Sequence, residues 1–324
     1  AVAVAGAGLM GRWHAQAARR LGARVLAVAD RDEARARRVG GPGAAAFADA
    51  IAMLDRARPE VLHLCTPSAT HEALIEAALA RGVHVLAEKP LAADAAATRR
   101  LCDLAGLAGL LLCPVHQYAF QGAVARVLAG RGRLGALELV ELDFHSAGAA
   151  GAGRAELPRV AADILPHPAS LAQAIWPGRP LASLGWMVRP AGPRGWEVSA
   201  EVEGALLRIT LSLGARPTRA AMALRGQGGS WEADLFHGYA LFRDGTATRG
   251  SKLLRPFRDA AGHLGRASAN LAGRALRGEA AYPGLRALVG AFYAAAAGRG
   301  PAPIGAEQAV EAAALRDLFL ERAA

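Results

Sequence analysis

The first third of the chain alternates short apolar runs with amphipathic stretches. Residues 1–5, 25–29, 61–65, 83–87 and 110–113 are nearly uninterrupted apolar segments of strand length. Such runs suit strands buried on both faces. Between them, residues 9–21, 50–56, 72–81 and 93–104 repeat apolar side chains at helical spacing. Strand–helix alternation of this kind predicts a doubly wound parallel sheet covered by helices on both faces. From about residue 118 the period changes. A helix at 119–128 leads through a Gly-rich turn at 130–135 into a strand at 137–145. A small-residue loop (147–153) and a proline-interrupted helix at 160–176 follow. Apolar or alternating segments at 184–189, 196–203, 205–213, 219–225, 230–236 and 239–243 then come in close succession, which predicts hairpins and an antiparallel sheet. Within 205–213, Leu207, Ile209, Leu211 and Leu213 alternate with Leu206, Arg208, Thr210 and Ser212, so one face packs on a core and the other stays open. Helices at 260–276, 285–297 and 306–322 close the chain. The fold class read from these patterns is α/β. A parallel-sheet domain over residues 1–117 is followed by an α+β domain over 118–324 with a largely antiparallel, open-faced sheet.

Composition narrows this only slightly. Apolar residues make up 53% and charged residues 20%, a globular profile. No uninterrupted apolar run reaches the ~18 residues of a membrane-spanning helix. The start of the chain lacks the basic, apolar and small-residue sections of a signal peptide, so a cytoplasmic location is expected. Cys65, Cys102 and Cys113 are too few and too scattered for a disulfide framework or a zinc site, and no metal is expected. The net charge of +10 raises the question of nucleic acid. Its arginines, however, are interleaved with acids, as in Arg31-Asp32-Glu33-Ala34-Arg35, and form no stripe with stacking aromatics. No nucleic-acid partner is expected. Lys89 and Lys252 are the only lysines. In a chain that otherwise uses arginine, a lysine that remains points to a chemical requirement, and Lys89 is the better placed of the two.

Gly6-Ala7-Gly8-Leu9-Met10-Gly11 matches G-x-G-x-x-G, follows the first predicted strand and opens the first predicted helix. Asp30 lies nineteen residues beyond Gly11, at the end of the second strand. In this setting the motif is a dinucleotide fingerprint of Rossmann type. Gly6 permits the tight turn, Gly8 lets the backbone approach a pyrophosphate, and Gly11 lets the helix sit close on the sheet. The helix N-terminus offers unpaired N–H groups and a positive dipole end. Asp30 accepts from both ribose hydroxyls and repels a 2′-phosphate, which favours NAD; Arg31 beside it leaves NADP open as the alternative.

Further motifs carry a family resemblance. Thr66-Pro67 with His71, Glu88-Lys89-Pro90 at a strand end, Gly132-Arg133-Leu134-Gly135, and Asp163-Ile164-Leu165-Pro166-His167 join the opening glycines. As a set they resemble the Gfo/Idh/MocA oxidoreductases, the glucose–fructose oxidoreductase and inositol dehydrogenase relatives. The resemblance implies hydride transfer between a nicotinamide and a carbinol carbon of a sugar, cyclitol or similar small molecule. Its lysine, aspartate and histidine fall on Lys89, Asp163 and His167. It implies a cofactor site drawn from Gly6, Gly8, Leu9, Met10, Gly11, Asp30, Arg31, Thr66, Pro67, His71, Glu88 and Lys89. A substrate site would draw on Lys89, His116, Gln117, Tyr118, Asp163 and His167.

His167 suits a general base, because an ordinary imidazole pKa of about 6.5 serves both directions near neutrality. Lys89 would stabilise charge developing on the substrate oxygen. Asp163 would orient the substrate or its cationic neighbours, and a spacing of four puts it on one face with His167 if the segment is helical. Structural readings stand beside these: Asp163 as a helix N-cap, His167 as a buried histidine, Lys89 as a surface lysine, and His71 as a helix-end histidine. Leu165 replaces the family's glycine, Ser170 stands where an aspartate is common, and Pro166 and Pro168 are added. Alternative functions are an NAD-assisted lyase, hydrolase or epimerase, or a nicotinamide-sensing protein without turnover. The open sheet face is the expected surface for a homodimer or homotetramer.

Overall fold

The computed structural model describes residues 1–149, 151–245, 248–279 and 281–323, with backbone alone for 249–252. Position 150 of the expected small-residue loop lies outside the described residues. The chain divides into two compact units, Ala1–His116 with Leu285–Ala314, and Gln117–Gly284 with Leu315–Ala324.

The first unit is built from β1 (Val2–Ala5), α1 (Leu9–Arg20), β2 (Val25–Ala29), α2 (Glu33–Gly40), β3 (Ala45–Phe47), α3 (Ala50–Ala57), β4 (Val61–Leu64), α4 (His71–Leu79), β5 (His84–Ala87), α5 (Ala95–Leu107) and β6 (Leu112–Pro114). All six strands run parallel in the order β3-β2-β1-β4-β5-β6. This is the doubly wound order in which the chain reverses its direction of winding at β1 and β4. Because every strand is parallel, all their carboxyl ends lie on one edge, and the loops after β1, β2, β4, β5 and β6 gather there. Leu62, Leu64, Val85 and Leu101 are fully buried in its core.

Two elements of this unit escape a reading by hydrophobic period. α2 begins within Arg31-Asp32-Glu33-Ala34-Arg35, where charges hide the periodicity, and β3 comes after it. Their local signal is capping: the Asp32 side chain accepts from Arg35 N–H at 3.0 Å and starts the helix. Asp49 and Asp94 cap α3 and α5 in the same way.

The second unit holds α6 (Gly122–Ala129), β7 (Leu137–His145), α7 (Leu157–Ala162), α8 (Pro166–Ile175), β8 (Met187–Pro190), β9 (Gly195–Val202), β10 (Ala205–Ser212), β11 (Arg219–Gly226), β12 (Gly229–Asp234), β13 (Tyr239–Asp244) and α9 (Arg249–Arg277). Then come α10 (Leu285–Ala296) in the first unit and α11 (Ala306–Arg322). The seven-stranded sheet has the order β13-β12-β11-β7-β10-β9-β8. It is antiparallel except for β7 and β10, which pair in parallel with Leu142 opposite Ile209. A parallel pair needs a crossover, and the chain from α7 to β9 provides it. Close spacing of the later strands predicts hairpins for all of them and hides this one pairing.

Alternation along β10 decides which face is covered. Leu207, Ile209 and Leu211 are buried, whereas Leu206 is 42% exposed. The open face carries ions rather than a second apolar layer: Glu141 on β7 receives Arg208 from β10 and Arg225 from β11.

Two sequence expectations need correction here. The helix expected at 160–176 is two helices, broken at Asp163–Leu165. Pro166 has no N–H to continue α7 but is well tolerated in the first turn of α8. The helix expected at 260–276 begins at Arg249 and runs through Pro256.

The burial pattern of β10 predicts a contrast. Leu207→Ala lowers the unfolding free energy by about 2–5 kcal/mol, the usual range for a buried leucine. Leu206→Ala changes it by less than about 0.5 kcal/mol. Urea denaturation of both variants checks this; equal losses would overturn the assignment of faces.

Candidate active site

The glycine loop has the shape a dinucleotide requires. Gly6 sits at φ +90°, and a Cβ there would lie 2.4 Å from the Cys65 carbonyl oxygen. A Cβ on Gly11 would fall 1.8 Å from the Gly6 carbonyl oxygen, so only glycine lets α1 approach β1 so closely. Gly8 differs, because no atom comes within 4 Å of its Cβ position. Gly8 is therefore glycine for the sake of space above the loop, and it is also the N-cap of the twelve-residue α1. Leu9 and Met10 form the first turn of that helix. Open backbone at a helix N-terminus fits a phosphate-bearing ligand.

Asp30 is held in place by the loop it serves. Its carboxylate accepts from Ala7 N–H at 2.8 Å and from Asp32 N–H at 2.9 Å. A carboxylate has about four acceptor positions, so two ribose hydroxyls can still be received. Arg31 is exposed. A larger cleft, of about 860 Å³, opens beside the glycine loop and is lined by Arg12, Arg19, Arg35 and Arg38 among others. Arg35 Nη1 lies 4.0 Å from Asp30 Oδ1. Sequence reading named Arg31 and missed Arg35 and Arg38. Their signal was the Asp32 cap, which starts α2 and places both on it.

The remaining expected residues of this unit line up along the carboxyl ends of β4, β5 and β6. Thr66 Oγ1 accepts from Thr70 Oγ1 at 2.8 Å, and Thr66 is followed by Pro67. His71 is 1% exposed, and its two ring nitrogens face Pro90 O at 2.7 Å and Thr66 O at 2.9 Å. It braces the loop after β4 against the turn after β5. Glu88 and Lys89 follow β5, and the Lys89–Pro90 peptide is cis. Glu88 Oε1 lies 3.2 Å from His14 Nε2. His116, beyond β6, is buried; burial first, and then Lys89, pushes it down to about 3, so it is neutral at physiological pH.

In the second unit, Asp163 is the C-cap residue of α7, neither an N-cap nor a member of the helix that holds His167. Its carboxylate is 3.6 Å from Arg316 Nε. His167 is the second residue of α8, wedged between aromatic rings. Tyr118 meets it edge to face at 4.7 Å, and Phe144 stacks at 6.3 Å with a 14° interplanar angle. Ser170 donates to the His167 carbonyl at 2.8 Å, and Leu165 is fully buried, so the altered segment makes a well-packed helix start. Burial, and then Tyr282, pushes the Tyr118 phenol up to about 12.

A cavity of about 430 Å³ in this unit is lined by Gln117, Tyr118, Gln121, His237, Arg274 and Tyr282 among others. Gln117 and Gln121 are 7% and 1% exposed, and the side-chain oxygen of each is buried without a hydrogen-bond partner. An orphaned buried acceptor is costly, and two lining one cavity mark a place for a hydrogen-bond donor. Sequence reading found Gln117 and Tyr118. It missed Gln121, whose signal was a glutamine at the very start of an apolar helix.

Comparison with known proteins bears on the first unit and on the fold. Residues 1–116 match the GFO_IDH_MocA model, described as an oxidoreductase family with an NAD-binding Rossmann fold. Inositol 2-dehydrogenase 4 of Saccharopolyspora erythraea is 38% identical over 118 residues, 35% of either chain. A dTDP-3,4-didehydro-2,6-dideoxy-α-D-glucose 3-reductase of Streptomyces violaceoruber is 37% identical over 121 residues, 36% of this chain and 35% of that one. The matched stretch thus spans about a third of the length of these relatives. The whole fold is similar to that of the WlbA dehydrogenase from Bordetella pertussis, solved with NADH and UDP-GlcNAcA: TM-score 0.75, 17% identity, 99% of this chain and 94% of that one. Residues 1–116 are thus similar to the NAD-binding Rossmann domain of the Gfo/Idh/MocA oxidoreductases.

Proposed function

We propose that this protein is an NAD-dependent oxidoreductase. It moves a hydride between nicotinamide and a carbinol or carbonyl carbon of a sugar, cyclitol or similar polyhydroxylated molecule. One observation carries the cofactor half of this reading: the vacant Cβ position of Gly8 sits at the N-terminus of α1, beside an Asp30 already fixed by the loop. The substrate half is supported by the pair of orphaned glutamine oxygens, which suit ligand hydroxyl donors, and by relatives named for an inositol and a dideoxy sugar. Bound NAD supplies the acceptor or donor of hydride.

The chain's own residues handle the proton and the charge. In the oxidising direction His167 takes the hydroxyl proton on Nε2, its Nδ1 being buried. The Lys89 ammonium stabilises the oxygen as it loses that proton. Asp163, half exposed and near Arg316, orients a hydroxyl. The protein is further proposed to be cytoplasmic, in keeping with the three free thiols Cys65, Cys102 and Cys113. No described helix is long and apolar enough to cross a membrane. A homodimer or homotetramer would form through the open sheet face.

Three measurements test these assignments. Incubation with NAD and a panel of inositols, free sugars and nucleotide sugars, followed by NADH absorbance, should show turnover with at least one polyol. Lys89→Met and His167→Asn should each lower that turnover by about a hundredfold or more, the usual cost of a lost transition-state partner, with NAD affinity retained. Wild-type turnover in either variant would remove that residue from the chemistry. In cofactor titrations, Gly8→Ala should fold normally yet bind NAD poorly. Asp30→Ala should weaken NAD by about tenfold, the worth of one charge-assisted hydrogen bond. Unchanged NAD affinity in Asp30→Ala would mean that the ribose lies elsewhere. Sedimentation equilibrium of wild type and Leu206→Glu addresses assembly; a wild-type monomer would overturn the proposed interface.

A further inference from the structure

The first unit buries a chain of four polar groups beneath the nucleotide loop. His14 on α1 and His63 on β4 are both fully buried, and their Nδ1 atoms face each other at 2.9 Å. At the two ends, His14 Nε2 lies 3.2 Å from Glu88 Oε1, and His63 Nε2 lies 2.7 Å from the hydroxyl of half-buried Tyr293 on α10. Burial, and then His14, push His63 well below the ordinary imidazole range, so this ring is neutral. Burial pushes the Tyr293 phenol upward, so the tyrosinate is not populated at rest.

A neutral imidazole has one N–H and one lone pair. Two Nδ1 atoms in contact therefore cannot both carry hydrogen, nor both lack it. With Glu88 ionised, one order satisfies every contact. Tyr293 O–H donates to His63 Nε2, His63 Nδ1–H to His14 Nδ1, and His14 Nε2–H to the carboxylate. With Glu88 protonated towards His14, the order reverses throughout. Glu88 O–H then donates to His14 Nε2, His14 Nδ1–H to His63 Nδ1, and His63 Nε2–H to the Tyr293 oxygen. A mixed order would set two donors or two acceptors against each other in the core, which is costly. The two orders differ by one proton. If the Tyr293 oxygen gains a proton and each hydrogen moves one place along, the extra proton emerges on Glu88.

We propose that Glu88, His14, His63 and Tyr293 form a proton wire, through which Glu88, the residue before Lys89, exchanges a proton with the Tyr293 end during the redox reaction. This use rests on the oxidoreductase reading. Oxidation of a carbinol breaks one C–H and one O–H bond; the hydride goes to NAD+ and one proton is released. That proton, taken first by His167 and delivered to Glu88 by water, passes through His14 and His63 to the Tyr293 oxygen, which gives one to solvent. Reduction runs the same path inward. The other titratable neighbours do not replace the wire. The Cys65 thiol is pushed up by burial and by Glu88 and stays protonated. His116, held near 3 by burial and Lys89, stays neutral, and Lys89 is the proposed charge-stabilising group.

Imidazole ¹⁵N NMR of the cofactor-free protein tests the wire without any turnover. At neutral pH, His14 should carry its hydrogen on Nε2 and His63 on Nδ1. On acidification both rings should exchange tautomers together, at one shared midpoint. Separate midpoints, or a second proton on either ring before the exchange, would overturn the proposal. In the active enzyme, Tyr293→Phe should lower kcat by about tenfold or more, the low end of general acid–base effects or below. It should also enlarge the solvent deuterium isotope effect and leave NAD affinity unchanged. An unaltered kcat and isotope effect would sink the wire's catalytic use. A shared tautomer exchange in a protein without turnover on any polyol would instead retire the oxidoreductase reading and leave the wire standing.

Discussion

The close approach of Gly11 to the Gly6 carbonyl oxygen is the contact on which the first unit depends. A Cβ at Gly11 would sit 1.8 Å from that oxygen, so any other residue would lift α1 from the sheet. Once α1 is seated, much else follows from helix geometry. Its N-terminus points over the end of β1, where Gly8 leaves room for a phosphate. Ala7 N–H reaches back to Asp30. One turn beyond Gly11, on the same face, His14 is carried down onto β4 and meets His63. The nucleotide cradle and the buried polar chain are thus two consequences of one backbone contact.

That linkage explains which features were legible in the sequence. Strands buried on both faces announce themselves as apolar runs, and the glycine motif with Asp30 has a fixed spacing because its geometry is fixed. The buried histidines announce themselves less clearly. His63 interrupts the run at 61–65, and His14 lies on the apolar face of α1, but a histidine's partners are set by tertiary packing. Tyr293 reaches His63 from more than two hundred residues away in sequence. No local pattern encodes that contact. The same limit hid the parallel pairing of β7 with β10, since strand spacing reports chain connection and not the order in which strands are laid into a sheet.

The segment Asp163–Ser170 shows how departures from a family pattern are accommodated by local packing. A glycine replaced by Leu165 demands space, and the structure provides it in a fully buried apolar site. Pro166 and Pro168 remove two N–H groups, yet both fall in the first turn of α8, where those groups have no helical acceptor. Ser170 then donates to the His167 carbonyl. The histidine's ring, set between Tyr118 and Phe144, is held by packing instead of by an aspartate.

Polar groups without partners carry a different kind of information from polar groups with them. His71 and His14 turn both ring nitrogens to atoms of their own unit, so they brace it from within. Gln117 and Gln121 leave buried oxygens unsatisfied beside a cavity. Folding alone gives no reason to tolerate that cost, because a leucine at either position would fill the volume without it. Such a cost is sustained where a ligand's donors recover it. Two acceptors lining one cavity favour a hydrogen-bond donor there over an apolar group of the same size.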